Sequence, residues 1–288
     1  RSFEMKEACY AATAALDYAK LHVEKFPQSK VLVIASDIAK YGIGTPGEPT
    51  QGAGSVAMLI SQNPRILAFN DDNVAQTRDV MDFWRPNYAT TPFVNGLYST
   101  QQYLDSLKTT WAEYQKRTGL NLRDFAAVCF HLPYPKLALK GLKKILDKSL
   151  SEDQKAQLQY NFDQSILYSQ RIGNIYTASL FLGLLSLLEN QPQLKAGDRI
   201  ALFSYGSGAV AEIFSANLVP GYEQMLVSKR MEKLDQRTVL SVEDYERLFY
   251  EEVDLDPNGN QVFEPTAHQT YALTEIKEHQ RIYQKVEK

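Results

Sequence analysis

The chain has 288 residues, 44% hydrophobic and 23% charged, with a formal net charge of −3. That is enough for one large domain or two intimate ones, the charge balance does not ask for nucleic acid, and no run of about 18 apolar residues marks a membrane span. Two cysteines, Cys9 and Cys129, cannot build a disulfide framework, so a reducing cytoplasm is the expected setting.

Ala11 to Leu21 opens with small residues and predicts a helix over about 7–26, slim enough to be buried among other elements and stopped by Pro27. Cys9 falls at its start. Unpaired N–H groups and the positive end of the helix dipole would there favour a thiolate, the form an acyl-transfer nucleophile needs. Position alone leaves an ordinary buried thiol equally open. Lys30 to Ser36 is continuously apolar and predicts a strand buried on both faces. A polar loop over 37–51 leads to Gly52-Ala53-Gly54, a glycine turn running into a strand to Ile60, and 65–69 reads as a further strand. Residues 71–96 are irregular and aromatic. Helical spacing returns over 99–117 and ends at Gly119.

The pattern then begins again. Phe125 to Phe130 reads as a buried strand, and His131-Leu132-Pro133-Tyr134-Pro135 as a rigid turn. Helices follow over 136–146, 151–167 and 175–188, the last opened by Gly173-Asn174. A strand over 199–204 runs to Gly206-Ser207-Gly208 and a second strand to Phe214. Residues 224–288 read as a charged, amphipathic, peripheral helical segment.

The helix, strand, glycine turn and strand over 9–60 recur over 174–214, with Gly52-Ala53-Gly54-Ser55-Val56-Ala57 aligning with Gly206-Ser207-Gly208-Ala209-Val210-Ala211. Two copies suggest an α/β fold of two halves related by a pseudo-twofold axis. Cys9 and Asn174 then stand at equivalent helix starts, facing one another across the joint. Cys9, His131, Asn174 and Ser207 all fall at strand ends or helix starts, where α/β sheets build their sites.

Five motifs carry a resemblance across nearly the whole chain: Glu7-Ala8-Cys9-Tyr10-Ala11-Ala12, Gly47-Glu48-Pro49-Thr50-Gln51-Gly52-Ala53-Gly54, Phe130-His131-Leu132-Pro133-Tyr134, Gly173-Asn174-Ile175-Tyr176-Thr177 and Phe203-Ser204-Tyr205-Gly206-Ser207-Gly208. In these motifs and their order the sequence resembles the bacterial-type 3-hydroxy-3-methylglutaryl-CoA (HMG-CoA) synthases, a branch of the thiolase superfamily. The resemblance implies a thiolase-like layered αβαβα fold, with residues 1–70 belonging to a first half, 71–120 connecting and lining the pocket, and 121–288 forming the second half with its extension. It implies condensation of acetyl-CoA with acetoacetyl-CoA in the mevalonate pathway of isoprenoid biosynthesis. Cys9 would take the acetyl group and His131 would polarise the ketone of the second substrate. Asn174 would bind the acyl group, and the Ser207 backbone would hold the acetyl oxygen. Thr50 and Ser99 would line the acyl pocket, and Lys136 and Lys140, at i, i+4 spacing on one helix face, would meet CoA phosphates at the channel mouth. CoA thioesters enter as substrates, with no cofactor and no metal, since no His/Cys/Asp cluster has ligand spacing. A homodimer is expected by the same resemblance.

The family's general acid/base glutamate lies in a segment upstream of the Cys motif, and Glu4, Glu7 and Glu48 do not match it. With Arg1 leading almost directly into a helix, and no strand before that helix, the expectation is that an upstream segment or an accompanying chain supplies this glutamate. Two other functions fit the same fold: a β-branching synthase taking acyl groups from carrier proteins, docked on the basic helix of Lys136, Lys140, Lys143 and Lys144, and a non-catalytic scaffold or lipid binder.

Overall fold

The computed structural model describes residues 1–89, 91–227, 229–265 and 270–286 and divides the chain into two units, Arg1–Gln236 and Arg237–Lys288. In the first unit the order is α1 (Ala11–Lys25), β1 (Lys30–Ala39), β2 (Gly52–Ser61), β3 (Leu67–Phe69), β4 (Val74–Thr77), β5 (Phe83–Trp84), β6 (Phe93–Val94), α2 (Gly96–Thr118), β7 (Ala127–Phe130), α3 (Pro135–Ile145), α4 (Glu152–Ser165), α5 (Leu167–Ile172), α6 (Ala178–Asn190), β8 (Arg199–Gly206), β9 (Val210–Leu218) and α7 (Arg230–Asp235). Local chemistry sets the helix ends. Asn95 caps α2 by accepting from the Tyr98 N–H, and Gly119 closes it in the left-handed region at φ 72°. A Ser151/Gln154 capping box opens α4, and Pro135 stands at the first position of α3.

One sheet carries β3, β9, β8 and β7 in that order, with β4 beside β9. β7 and β8 run parallel, so the chain between them must cross over, and α3 to α6 supply that crossover. Alternation along β8 divides the interior in two. Ile200 and Leu202 join α1 and α6 in one apolar cluster. Ala201, Phe203 and Tyr205 join α2, α3 and α4 in the other. On the far side of α1 and α6 lies the second sheet, the hairpin of β1 and β2, in antiparallel register from Lys30↔Ser61 to Ala39↔Gly52. The first unit is therefore four layers: hairpin, buried helix pair, sheet, outer helices.

β1 departs from its expectation of burial on both faces. Val33, Ala35 and Ala39 pack inward, while Leu32, Ile34 and Ile38 are 57%, 61% and 64% exposed. The run is continuously apolar, but α1 and α6 cover only one side of the hairpin, and among the described residues β2 is its only strand partner.

The two repeats meet through their glycines, each gripping the loop that leads into the other repeat's helix. A Cβ on Gly52 would collide with the carbonyl oxygens of Ile172 and Asn174, and one on Gly173, held at φ +86°, with the carbonyl of Gln51. The Asn174 N–H donates to the Thr50 carbonyl at 2.9 Å across this contact. In the matching place, a Cβ on Gly206 would lie 2.7 Å from the Tyr10 Cβ and 2.8 Å from the Glu7 carbonyl oxygen.

The second unit corrects the helical reading of the C-terminal segment. Among its described residues it holds one helix, α8 (Val242–Tyr250), and a sheet of β10 (Gln261–Val262), β11 (Tyr271–Lys277) and β12 (Gln280–Lys285). Ala272 and Ile276 turn inward along β11, a period-2 pattern masked in sequence by the charges around it. Glu278 and His279, at φ 47° and 64°, make the tight hairpin turn whose twist suits two antiparallel strands. His268 lies outside the described residues.

Gly173→Ala should lower the unfolding free energy by about 3 kcal/mol or more, because added bulk meets backbone. Gly197→Ala, with φ +91° but nothing within 4 Å of an added Cβ, should cost only about 1 kcal/mol of backbone strain. Urea unfolding of the two variants checks the contrast; equal losses would mean that the interlock contributes nothing beyond φ.

Candidate active site

Cys9 stands on a tight elbow. The Tyr10 N–H returns to the Glu7 carbonyl at 2.9 Å, and Ala8 between them is forced to φ 43°. Tyr10 precedes α1 without a side-chain cap. In the first turn the Ala12 N–H is taken by the Thr177 hydroxyl at 2.8 Å, which ties the start of α1 to the start of α6. The expectation of a resting thiolate is corrected here. Burial, reinforced by the carboxylates of Asp37 and Asp82, pushes the Cys9 thiol well above its ordinary pKa. Desolvation of a charged sulfur outweighs a dipole whose N–H groups are partly spent elsewhere.

Across the joint, Asn174 is locked by four bonds. Its N–H meets Thr50, and its Oδ1 accepts from the Tyr176 N–H and the Ser179 hydroxyl, each at 2.9 Å. Its Nδ2 donates to the Tyr41 hydroxyl at 2.9 Å. Thr177, not Asn174, takes the N-cap position of α6. Tyr41, Phe83 and Tyr176 form an aromatic cluster with ring centroids 6.0 to 6.4 Å apart. Burial raises the pKa of both phenols.

Asp82 is fully buried. It accepts from the Tyr205 hydroxyl at 2.7 Å and the Gly208 N–H at 3.1 Å, so it spans the turn that holds Ser207. Tyr205 packs edge-on against Tyr103 at 5.4 Å, and the Tyr103 hydroxyl donates to the His131 carbonyl at 2.9 Å. The His131 N–H donates in turn to Phe203 at 2.7 Å. The imidazole is buried, its Nδ1 has no protein partner, and burial depresses its pKa to about 3. It is therefore neutral, able to accept or donate a hydrogen bond but carrying no charge.

The structure thus gathers Cys9, Thr50, Asn174 and the Ser207 turn around the interlock, with His131 joined to them through Tyr103, Tyr205 and Asp82. Ser99 sits in the first turn of α2, close after Asn95, whose N–H meets the Asp82 carbonyl at 3.3 Å. Lys136 and Lys140 stand apart on the exposed face of α3, with Lys143 and Lys144, while Leu137, Ala138, Gly141 and Leu142 face inward. Sequence reasoning missed Asp82, Tyr41 and Tyr176. The one available signal for Asp82 was an acid set between Met81 and Phe83. A cavity of about 560 Å³ opens elsewhere, lined by Leu16, Val23, Met58 and Phe181, and none of these site residues reaches it. Among the described residues no group of His, Cys, Asp and Glu is arranged to hold a metal ion.

Residues 73–159 and 142–286 match the family model described as hydroxymethylglutaryl-coenzyme A synthase C terminal. The chain is 52% identical over 258 residues to a hydroxymethylglutaryl-CoA synthase of Enterococcus faecalis, covering 89% of this chain and 67% of that one. It is 35% identical to the polyketide-biosynthesis 3-hydroxy-3-methylglutaryl-ACP synthase PksG of Bacillus subtilis, covering 86% of this chain and 63% of that one. A crystal structure of HMG-CoA synthase complexed with CoA superposes with a TM-score of 0.96 at 68% identity, over 99% of this chain and 74% of that chain. The chain thus spans about two thirds of the length of the curated relatives it matches.

A thiol whose pKa is raised is almost wholly protonated at neutral pH, and its thiolate fraction grows tenfold per pH unit until that pKa is reached. Alkylation of Cys9 by iodoacetamide should therefore rise about tenfold per unit from pH 7 to 9 without levelling. Peptide mass mapping of the alkylated site gives the rates; a plateau below pH 7 would mean a resting thiolate.

Proposed function

The chain belongs to the hydroxymethylglutaryl-CoA synthase family, and on that premise we propose that it condenses acetyl-CoA with acetoacetyl-CoA to give HMG-CoA. The observation that supports this reading is the elbow at Cys9, held against the Ser207 turn at Gly206 and tied through Ala12 and Thr177 to the start of α6. Cys9 loses its proton as its sulfur attacks the acetyl carbonyl. The bond from that carbon to the sulfur of CoA breaks, and CoA leaves as the thiol. The acetyl oxygen is held by the backbone at Ser207, a donor of the kind whose loss costs about 3 kcal/mol of barrier. A carboxylate base, the role the family resemblance gives to a glutamate, takes a methyl proton. The resulting enolate carbon bonds to the ketone carbon of acetoacetyl-CoA, and the ketone oxygen takes up a proton. His131, uncharged in a dry site, suits a hydrogen bond to that ketone oxygen better than a permanent charge would. Water then cleaves the Cys9 thioester, freeing the product and the thiol.

Asn174 positions the acyl group, Thr50 and Ser99 line its pocket, and Lys136 and Lys140 meet the CoA phosphates from the exposed face of α3. The reaction belongs to the acyltransferases that convert the acyl group into alkyl on transfer. It is set in the reducing cytoplasm, where the free thiols of Cys9 and Cys129 persist, and a homodimer is the working assembly. Free CoA thioesters are favoured over carrier-protein substrates because identity to the hydroxymethylglutaryl-CoA synthase exceeds that to the acyl-carrier enzyme, 52% against 35%.

Intact mass after mixing with acetyl-CoA should report one acetyl group, mapped to Cys9 and absent from Cys9→Ser, since a serine hydroxyl is far less readily ionised. His131→Ala should slow condensation with acetoacetyl-CoA more than it slows acetylation. An acetyl group found elsewhere would remove Cys9 as nucleophile. Equal loss of both steps would instead make His131 the base that activates the thiol.

A further inference from the structure

Glu212 is a buried carboxylate in the middle of β9, only 4% exposed. Burying such a group is expensive unless its oxygens are fully engaged. Its Oε2 accepts from the Tyr10 hydroxyl at 2.5 Å, and its Oε1 from the Asn73 amide at 3.1 Å. Its cross-strand neighbour on β8 is Ser204, whose hydroxyl accepts from the Thr13 hydroxyl at 2.8 Å. Tyr10 and Thr13 are three residues apart at the start of α1, so they share one face of it. Two paired sheet positions therefore hold two side chains of the same helix turn. Tyr10 is also the residue after Cys9, and Gly206 leaves the space in which its Cβ sits. The Tyr10 N–H bond to the Glu7 carbonyl closes the elbow, and Ala8 at φ 43° loads it with strain.

We propose that Glu212 is a positioning residue for the Cys9 nucleophile, acting through the phenol of Tyr10. It does not touch the acyl donor; it holds the elbow at the height and angle from which the sulfur reaches the acetyl carbonyl. The role rests on the reading of Cys9 as the acylated residue, and the test separates the two.

The 288-residue chain and its Tyr10→Phe, Glu212→Gln, Glu212→Ala and Tyr10→Phe/Glu212→Ala variants are each mixed with acetyl-CoA, and acetylation of Cys9 is followed by mass. Rates are taken per folded molecule, with the folded fraction read by circular dichroism. Iodoacetamide alkylation of Cys9 is measured in parallel. Displacing a nucleophile by a fraction of its reach should slow acetylation by about tenfold to a hundredfold in Tyr10→Phe and Glu212→Ala, with KM for acetyl-CoA unchanged. Glu212→Gln keeps an acceptor for the phenol and should stay within about threefold of the unaltered chain. The double variant should be no slower than the slower single, since both act through one bond. If the variants lose stability but acetylate as fast per folded molecule, Glu212 only staples α1 to the sheet and the proposal is overturned. If the unaltered chain takes no acetyl group, the functional reading fails. The alkylation rates then decide alone: the same order among the variants upholds the positioning role, and equal rates overturn it.

Discussion

Everything at the joint depends on two backbones being allowed to touch. Gly52 and Gly173 face each other across one contact, and Gly206 faces Glu7 and Tyr10 across the other. No side chain fits either place, so the loop before α1 and the loop before α6 are each clamped by the other repeat. The clamp sets the elbow of Cys9 against Gly206 and the loop of Asn174 against Gly52. It also exposes the Thr50 carbonyl to the Asn174 N–H, and it lets Thr177 bond the first turn of α1. A side chain at any of these glycines would separate the repeats at the point where they meet.

Burial then decides the electrical state of the space so formed. The same desolvation that holds the Cys9 thiol protonated keeps His131 neutral. Asp82, an acid set deep in the fold, is engaged by a phenol and a backbone N–H. The result is a site with little free charge before substrate arrives, in which hydrogen bonds to a developing oxyanion count for more than they would in water. On the proposed reading of Cys9, the cost is a nucleophile that must be deprotonated during the reaction rather than stored ready.

Charge is kept instead on the periphery. The four lysines of α3 lie on its exposed face, on the helix that follows the His131 turn, where meeting an anion carries no cost of burying an ammonium group. The buried glutamates follow a different rule. Glu212 is surrounded by donors from Tyr10 and Asn73, and Glu189 by Tyr168 and by Arg230, whose guanidinium bonds both of its oxygens. Each thereby ties one element to another.

Much was legible in the residues themselves. The slim helix after Cys9, the strands at 52–61 and 199–206, the rigid turn after His131 and the Gly119 stop are all written in local periodicity and in the special conformations of Gly and Pro, which act over a few residues. The repeated glycines were legible too, although Gly52-Ala53-Gly54 lies inside β2 rather than in a turn, because the loop before it makes the reversal. What local pattern does not carry is how many layers cover a strand, so the apolar run of β1 read as fully buried although its outer face is open. Nor does it carry desolvation, which depends on every neighbour in space: the helix start promised a thiolate, and burial at the joint, with the charges of Asp37 and Asp82, raised the thiol instead. Asp82, Tyr41 and Glu212 stayed silent in the sequence for the same reason. Their partners, Gly208, Asn174 and Tyr10, lie more than a hundred positions away, and only the folded chain brings each donor to its acceptor.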